Sequence, residues 1–518
     1  MILTLDECVE IAIQNNLGLR LSRISDRGSD LDLRSAWSRF LPSFTASLEH
    51  SGGQTGSAHS NTTTLSGSIT QEAPWGTSVT LSGRESESHP GGSSGRSSSY
   101  GVSVTHPLWK GFGEDVGMYE IRSARLGKLI SRGELELSLQ ETIFLVRSAY
   151  ANCVRQLQNL EVNRRAVESA ETFLRLTQAR ERAGMQTRLD VYNAEVQLAD
   201  RQLALTQTQR EVENAHDALK RLMDVDLEEP VSVVSEPVDF GEKPAAGEER
   251  VIETDEATGA VKLVVRRAGA PQGEPALMFA AQRFDYDQVL KDALANRIEL
   301  LNGRRRLALD NLTAMLRKDG LGHQIDLELG YERSAGGRNW SESHGFENHD
   351  YSVGLKYSVP WGKVSDRTAY EQALLTLEAA EVELKDARTQ VHMEVRDNLR
   401  ALREAEKSIL IQAKKVEQAK RLVEAERVRF ERGIKDSFDV IRAEDNLLQA
   451  KTDFISRKVS YVVRLAQLET VIGKPTGRVD LSAKTDGGQV RSALPDSLRE
   501  RGMPKPAPEP DKTINDKY

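Results

Sequence analysis

Ala183-Gly184-Met185-Gln186-Thr187-Arg188-Leu189-Asp190-Val191 lies over Arg432-Gly433-Ile434-Lys435-Asp436-Ser437-Phe438-Asp439-Val440 without a gap. The match continues at Ala194 and Glu195 over Ala443 and Glu444, then at Leu198 over Leu447. Each copy places a glycine between two helical patterns, and an internal repeat of this kind sets the plan of the whole chain. Before Gly184, residues 114–182 read as one long helix, in which Leu139, Ile143, Val146, Tyr150, Cys153, Leu157 and Leu160 step by fours and threes as a coiled-coil seam. A shorter helix, 187–222, follows. Before Gly433, residues 365–431 repeat the pattern with Val395, Leu399, Leu402, Ile409, Val416, Val423 and Phe430, and helix 436–472 follows.

Working outward, each copy opens with a short helix and strands. Residues 3–38 read as a helix with Thr4 as N-cap and Glu7 as its capping-box partner. Leu5, Val9, Ala12, Ile13 and Leu17 follow at helical spacing, and Pro42 ends the segment. Residues 43–106 turn Ser-, Thr- and Gly-rich with apolar residues at every second position, which predicts four strands at 43–50, 62–72, 77–86 and 98–106. The second copy has a helix at 285–318 and two strands at 325–332 and 350–359. The first repeat is thus 3–222 and the second 284–475, separated by a Pro-, Gly- and acid-containing insert at 224–283, with Val261–Val265 expected as one strand of a small hairpin after Ala257-Thr258-Gly259. The tail 476–518, with Pro504, Pro506, Pro508 and Pro510, reads as disordered.

Segment lengths carry a physical message. At a rise of about 1.5 Å per residue each long helix spans roughly 100 Å, and the two shorter helices of its repeat add up to nearly the same. Two short helices stacked end to end along one long helix make a wall of paired helices. One chain supplies too little wall to enclose a wide lumen, and cyclic symmetry is the natural way to close one. The strands sit at one end of that wall, and their apolar face needs either a second sheet or a bilayer. Three of the five tryptophans favour the bilayer: Trp75, Trp109 and Trp361 stand at strand ends in Pro74-Trp75-Gly76, Pro107-Leu108-Trp109-Lys110-Gly111 and Pro360-Trp361-Gly362. Tryptophan at strand termini suits a membrane-interface belt.

Composition excludes several function classes. The chain has 518 residues, 70 Lys+Arg against 78 Asp+Glu, a net charge of −8, and only 5% aromatics. This mild acidity gives no footprint for nucleic acid. Two cysteines, Cys8 and Cys153, exclude a disulfide framework and read as core thiols. No stretch approaches the ~18 apolar residues of a transmembrane helix, which leaves short amphipathic strands open. No signal peptide precedes the first helix, so either the protein is cytosolic or this chain begins after its export signal. Gly111, Gly113 and Gly117 follow a strand and open a helix, but their spacing does not fit a dinucleotide loop. The nine histidines lack zinc-ligand spacing, His392 and Glu394 lie on a charged helix face, and no nucleophile elbow or Walker loop occurs. No catalytic residue, cofactor or metal is expected.

The layout resembles the TolC-like outer-membrane efflux proteins over residues 3–222 and 284–475. The resemblance rests on Leu3-Thr4-Leu5-Asp6-Glu7-Cys8 with Ala12, Asn15 and Asn16, on Leu41-Pro42-Ser43, on Thr105-His106-Pro107-Leu108 to Gly111-Phe112-Gly113, and on the two glycine turns. It implies a mixed α and β membrane protein: a homotrimer with an outer-membrane β-barrel continuous with an α-helical coiled-coil tunnel across the periplasm. The implied function is a passive exit duct without an active site, working with a periplasmic adaptor and an inner-membrane transporter in efflux or type I secretion. The turns at Gly184, Met185, Gly433 and Ile434 correspond to tips that dock the adaptor. Asp190 and Lys435 match positions that hold neighbouring coils closed, and Asp439 matches one of two acidic ring positions at the constriction. The second ring position is Arg442, which departs from a purely acidic gate. The insert takes the place of an equatorial region. The family has two strands per repeat, hence twelve in a trimer. Four strands in the first repeat give eighteen if all cross the membrane, or leave the hairpin at 62–86 outside the barrel. The competing reading is a soluble coiled-coil scaffold with a β-sandwich head.

Overall fold

The computed structural model describes residues 2–55, 58–90, 95–234, 248–254, 261–267, 276–280 and 284–473. The chain divides into two units, Met1–Lys474 and Pro475–Tyr518, and every described element belongs to the first. The disorder expected for 476–518 falls outside the described residues.

The first repeat runs β1 (Ile2–Leu3), α1 (Leu5–Asn15), α2 (Leu17–Ser38), β2 (Ser43–Thr55), β3 (Ala58–Glu72), β4 (Ser78–Pro90), β5 (Gly95–Pro107), α3 (Glu114–Gly117), α4 (Tyr119–Arg182) and α5 (Arg188–Met223). The insert holds β6 (Ser232–Val233), β7 (Glu248–Thr254), β8 (Val261–Arg267) and β9 (Ala276–Ala280). The second repeat runs α6 (Tyr286–Asn296), α7 (Ile298–Asp319), β10 (Gln324–Gly337), α8 (Trp340–Ser343), β11 (Asn348–Ser358), α9 (Val364–Glu431) and α10 (Ser437–Ile472).

Three expectations need correction. The opening helix of each repeat is two helices. Thr4 and Glu7 form the expected capping box on α1, but Asn16 adopts an extended backbone (ψ 125°) and starts a new helix. Its side chain accepts from Leu19 N–H at 3.0 Å and donates to the Leu222 carbonyl at 2.9 Å, which ties the break to the end of α5. Arg297 makes the equivalent break (ψ 122°) beside Gly473, the C-cap of α10. Second, the first long helix is interrupted at Met118, so α3 stands apart from α4. Third, the strands of the first repeat run several residues past the expected ends, because Ser- and Gly-rich stretches read as loops continue the ladder. The insert forms the expected hairpin, β7–β8, and adds β9 to it. β7, β8 and β9 form an antiparallel meander, and β6 pairs in parallel with β1.

The long helices organise the rest. α4 packs against α2 and then α5, and α9 against α7 and then α10, so short helices line each long one as their lengths require. Cross-repeat contacts run from α4 to α7 and α10. In α9, Val395, Leu402, Ile409, Val416, Val423 and Phe430 recur every seven residues and all are buried, a coiled-coil seam without a miss. Cys8 and Cys153 are free, and both belong to the apolar cluster joining α1, α4 and α5. Burial pushes their thiols up to about 11 and about 12, well away from thiolate reactivity.

Candidate functional site: two helical tips and an amphipathic sheet

Six strands form one antiparallel sheet in the order β11-β10-β5-β4-β3-β2. The hairpin β3–β4 is therefore built into the sheet between β2 and β5. Register fixes the two faces, because neighbours in a ladder share a side and residues alternate along each strand. One face carries Phe44, Leu48, Leu65, Ile69, Val79, Leu81, Val102, Leu329, Tyr351, Val353, Leu355 and Tyr357, all exposed. The other carries Thr45, Ser47, Ser66, Ser68, Thr80, Ser82, Ser103, Glu328 and Ser352. Tyr351 is 84% exposed, Phe44 73% and Leu355 68%. An apolar face this large and continuous is a surface for lipid or for another chain. On β11 it runs Tyr351, Val353, Leu355, Tyr357, with aromatic residues bracketing aliphatic ones, and the exposed Trp361 lies just beyond. That order is the girdle-and-band pattern of transmembrane strands.

The three expected tryptophans lie at the helix end of this sheet, and all are exposed. Trp75 sits in the β3–β4 turn, and its carbonyl accepts from Gly113 N–H at 3.4 Å. Trp109 follows β5 and lies 5.6 Å from the His323 ring. Among the described residues no helix is long and apolar enough to cross a membrane.

At the other end of the helices, the two glycine turns are near copies. Gly184 and Gly433 have φ of +71° and +69°. In one turn Gly184 N–H bonds Glu181 O and Met185 N–H bonds Arg180 O, both at 2.9 Å. In the other Gly433 N–H bonds Phe430 O and Ile434 N–H bonds Arg429 O, both at 3.0 Å. Both are Schellman motifs, which need a left-handed residue where glycine is unstrained. Met185 is 70% exposed and Ile434 68%. The repeat-equivalent Leu189 and Phe438 are exposed too, so each tip presents two apolar side chains to its surroundings.

The structure does not join Asp190 to Lys435. Lys435 Nζ instead pairs with Asp439 one turn on, at 2.7 Å, and that bond raises the ammonium's pKa. Asp190 closes the capping box of α5 with Thr187 and accepts from Ser437 Oγ of the other repeat at 2.7 Å. Its burial would raise the carboxyl pKa, but the bonds from Thr187 and Ser437 outweigh it and hold the group below the usual carboxylate value. Arg442 lies on α10 beyond Asp439 and is exposed.

A stronger link between the repeats was not legible as such. Arg180 reaches across to donate to the Phe430 and Glu431 carbonyls at 2.9 and 3.1 Å, capping the end of α9. Its guanidinium also lies 5.1 Å from the centre of the Phe430 ring, which packs on Phe173. Farther from the tip, Arg427 donates to Glu444 and to Ser169, and Arg201 pairs with Asp445. An arginine in the last turn of a long helix was the available signal, since such residues seek helix-end carbonyls.

A profile of the outer membrane efflux protein family matches residues 8–224 and 289–474. No protein of curated function matches the chain in sequence. The fold is similar to the outer-membrane channel OprN, with 16% identity, TM-score 0.65, and coverage of 91% of this chain and 90% of that one. It is also similar to the outer-membrane protein VceC of Vibrio cholerae (14%, TM-score 0.64, 91% and 97%). The open MtrE channel of Neisseria gonorrhoeae gives 17% identity, TM-score 0.62, and 91% and 89% coverage. With the family profile covering both repeats, and the tips and amphipathic sheet falling where the two-repeat plan puts them, the chain belongs to the outer membrane efflux protein family, a family of outer-membrane ducts serving tripartite export systems.

Proposed function

We propose that three copies of this chain assemble into a passive exit duct, with the sheet set in the outer membrane and the paired helices extending into the periplasm. The observation that carries this reading is the sheet itself. It has one lipid-compatible face, one polar face and two edges, β2 and β11, that no strand of the same chain covers among the described residues. Open edges of that length invite pairing with another chain, and only closure removes them. The paired helices below it form a third of a tube wall, and exposed Leu17, Leu21, Ile24 and Leu31 along one stripe of α2 supply an apolar seam for a neighbouring copy.

The tips are the end that meets partners. Met185 and Leu189 on one turn, Ile434 and Phe438 on the other, offer paired apolar knobs to a periplasmic adaptor, which connects the duct to an energised inner-membrane transporter. Asp190, Lys435, Asp439 and Arg442 lie around the same opening and act as its gate. Replacing Lys435 with Glu sets a carboxylate against Asp439 in place of an ammonium, and single-channel conductance rises. Unchanged conductance would remove Lys435 from the gate.

The decisive experiment is electrical. Full-length protein taken from detergent into a planar bilayer gives discrete conductance steps from a particle with the mass of three chains. Protein that stays monodisperse in water without detergent, and does not insert, would leave the coiled-coil scaffold as the reading.

A further inference from the structure

The sheet holds six strands, while the family pattern assigns four to a chain. We infer that three copies close an eighteen-strand barrel, wider in bore than a twelve-strand one. This rests on the duct reading above.

Four observations place the extra hairpin in the wall. First, β3–β4 lies between β2 and β5, with thirteen register partners between β2 and β3 and eleven between β4 and β5. Second, its faces agree with the rest of the sheet: Leu65, Ile69, Val79 and Leu81 continue the apolar face, and Ser66, Ser68, Thr80 and Ser82 the polar one. Third, its turn is seated on the helical wall. A Cβ on Gly117 would collide with the Pro74 carbonyl oxygen, and one on Gly76 with that of Gly111. Thr77 Oγ1 and His106 Nδ1 share a hydrogen bond of 2.7 Å across to β5, and Arg39 pairs with Glu72 at 2.6 Å. Fourth, strand directions alternate from β2 to β11, so the two edges run opposite ways and can pair antiparallel between copies.

The apolar band also reports the strand tilt. On β2 it is centred at Ala46, between Phe44 and Leu48, and on β11 between Tyr351 and Tyr357. Along the register Phe44–Ile69–Leu81–Val102–Tyr331–Tyr351, the band's centre slips by about five residues over five strand steps. A slip of about one residue per strand corresponds to a tilt of roughly 35°, the value a closed transmembrane barrel needs. At that tilt and a spacing of about 4.8 Å, eighteen strands enclose a backbone diameter of about 34 Å, and twelve about 23 Å. Allowing about 5 Å per side for the inward side chains, mostly Ser, Thr and Gly with Arg84, Glu328, Glu332 and Lys356 among them, leaves about 24 Å and about 13 Å free, against ~10–12 Å for an α-helix with its side chains. A twelve-strand barrel leaves little more than the width of one helix, and the eighteen-strand barrel nearly twice that.

The test is polymer exclusion. Neutral polyethylene glycols of graded size are added on the barrel side of single channels of the intact protein, where they lower conductance only if they enter. The intact channel admits polymers up to about 24 Å across, and deletion of residues 58–90, which leaves β2 beside an antiparallel β5, lowers that cut-off to about 13 Å. A cut-off near the smaller value in the intact channel, or one unmoved by the deletion, overturns the proposal. If the deleted chain does not fold, thiols at Ser66→Cys, Ser82→Cys, Leu65→Cys and Leu81→Cys in the intact protein decide. In the wall, the first two react with a water-soluble maleimide and labels on the last two are quenched by a lipid-borne nitroxide. Water-soluble labelling of all four puts the hairpin outside and ends the proposal. Failure of the intact protein to form any channel would instead sink the duct, and the wide barrel with it.

Discussion

The tips and the sheet treat the internal repeat in opposite ways. At the tips the two copies keep the same turn, the same left-handed glycine and the same pair of exposed apolar residues. In the sheet the first copy has four strands and the second has two. The difference follows from what each region must match. A short helix has to end where its long partner ends, so an insertion in either helix misplaces the seam of the other. An antiparallel sheet grows in hairpins, and an added pair restores strand direction and face parity at both neighbours. Helix length is thus constrained by its partner, while strand number is free to change in twos. The width of the sheet can vary in such a chain without disturbing the paired helices.

The likeness of the tips breaks most sharply at Phe430. Its repeat equivalent is Glu181, so only one tip has an aromatic anchor. Phe430 is 1% exposed and packs with Phe173, Ala194 and Val440, while Arg180 covers its ring. Phe430→Ala costs about 3–5 kcal/mol of stability, and Glu181→Ala stays within about 0.5 kcal/mol. Denaturant unfolding followed by circular dichroism reads both. Equal effects would mean that the two coils are held together elsewhere.

The glycines sharpen the comparison. Nothing lies within 4 Å of a Cβ built on Gly184 or Gly433, so alanine there meets only backbone strain. Each change costs about 1–2 kcal/mol, and the two costs agree. Gly117 differs: its substitution drives a methyl group into Pro74, whereas Gly127 in the same stretch has open space. Gly117→Ala therefore destabilises the fold more than Gly127→Ala does, measured as the midpoint of thermal unfolding in detergent. The reverse order would show that the hairpin turn is not seated on α3.

Much of this was legible in the residues. Heptad spacing located α4 and α9 to within a few residues, since a seam such as Val395 to Phe430 has one period that only a long helix satisfies. Alternation found six strands but stopped short at stretches such as Ser51-Gly52-Gly53, where neither face is apolar and no period remains to read. The breaks at Asn16 and Arg297 were hidden for another reason. Helical spacing of apolar residues continues through both, and the interruption is imposed by the ends of α5 and α10 packing alongside. The partner of Asp190 was missed because Ser437, the first residue of α10 in the other repeat, donates to its carboxylate, and Lys435 has Asp439 four residues on.

The smallest expected effect concerns that Asp190 bond, and its pH dependence has a definite sign. The carboxyl is held below its unfolded value of about 3.9 by donors from Thr187 and Ser437. A depressed folded pKa means the contribution is complete above about pH 4–5 and is lost as acid protonates the folded group. Asp190→Asn keeps the size of the side chain but removes its charge, and the bonds with Thr187 and Ser437 weaken by about 1 kcal/mol together, since a charge-assisted bond exceeds a neutral one. Conductance of the intact channel then stays level from pH 8 to 5 and rises below about pH 4 as the cross-repeat bond goes. In the Asn variant it starts higher, and this part of the acid response is gone. An acid response unchanged by the substitution would assign it to other carboxylates at the opening, Asp439 first, and would leave Asp190 as a helix cap alone.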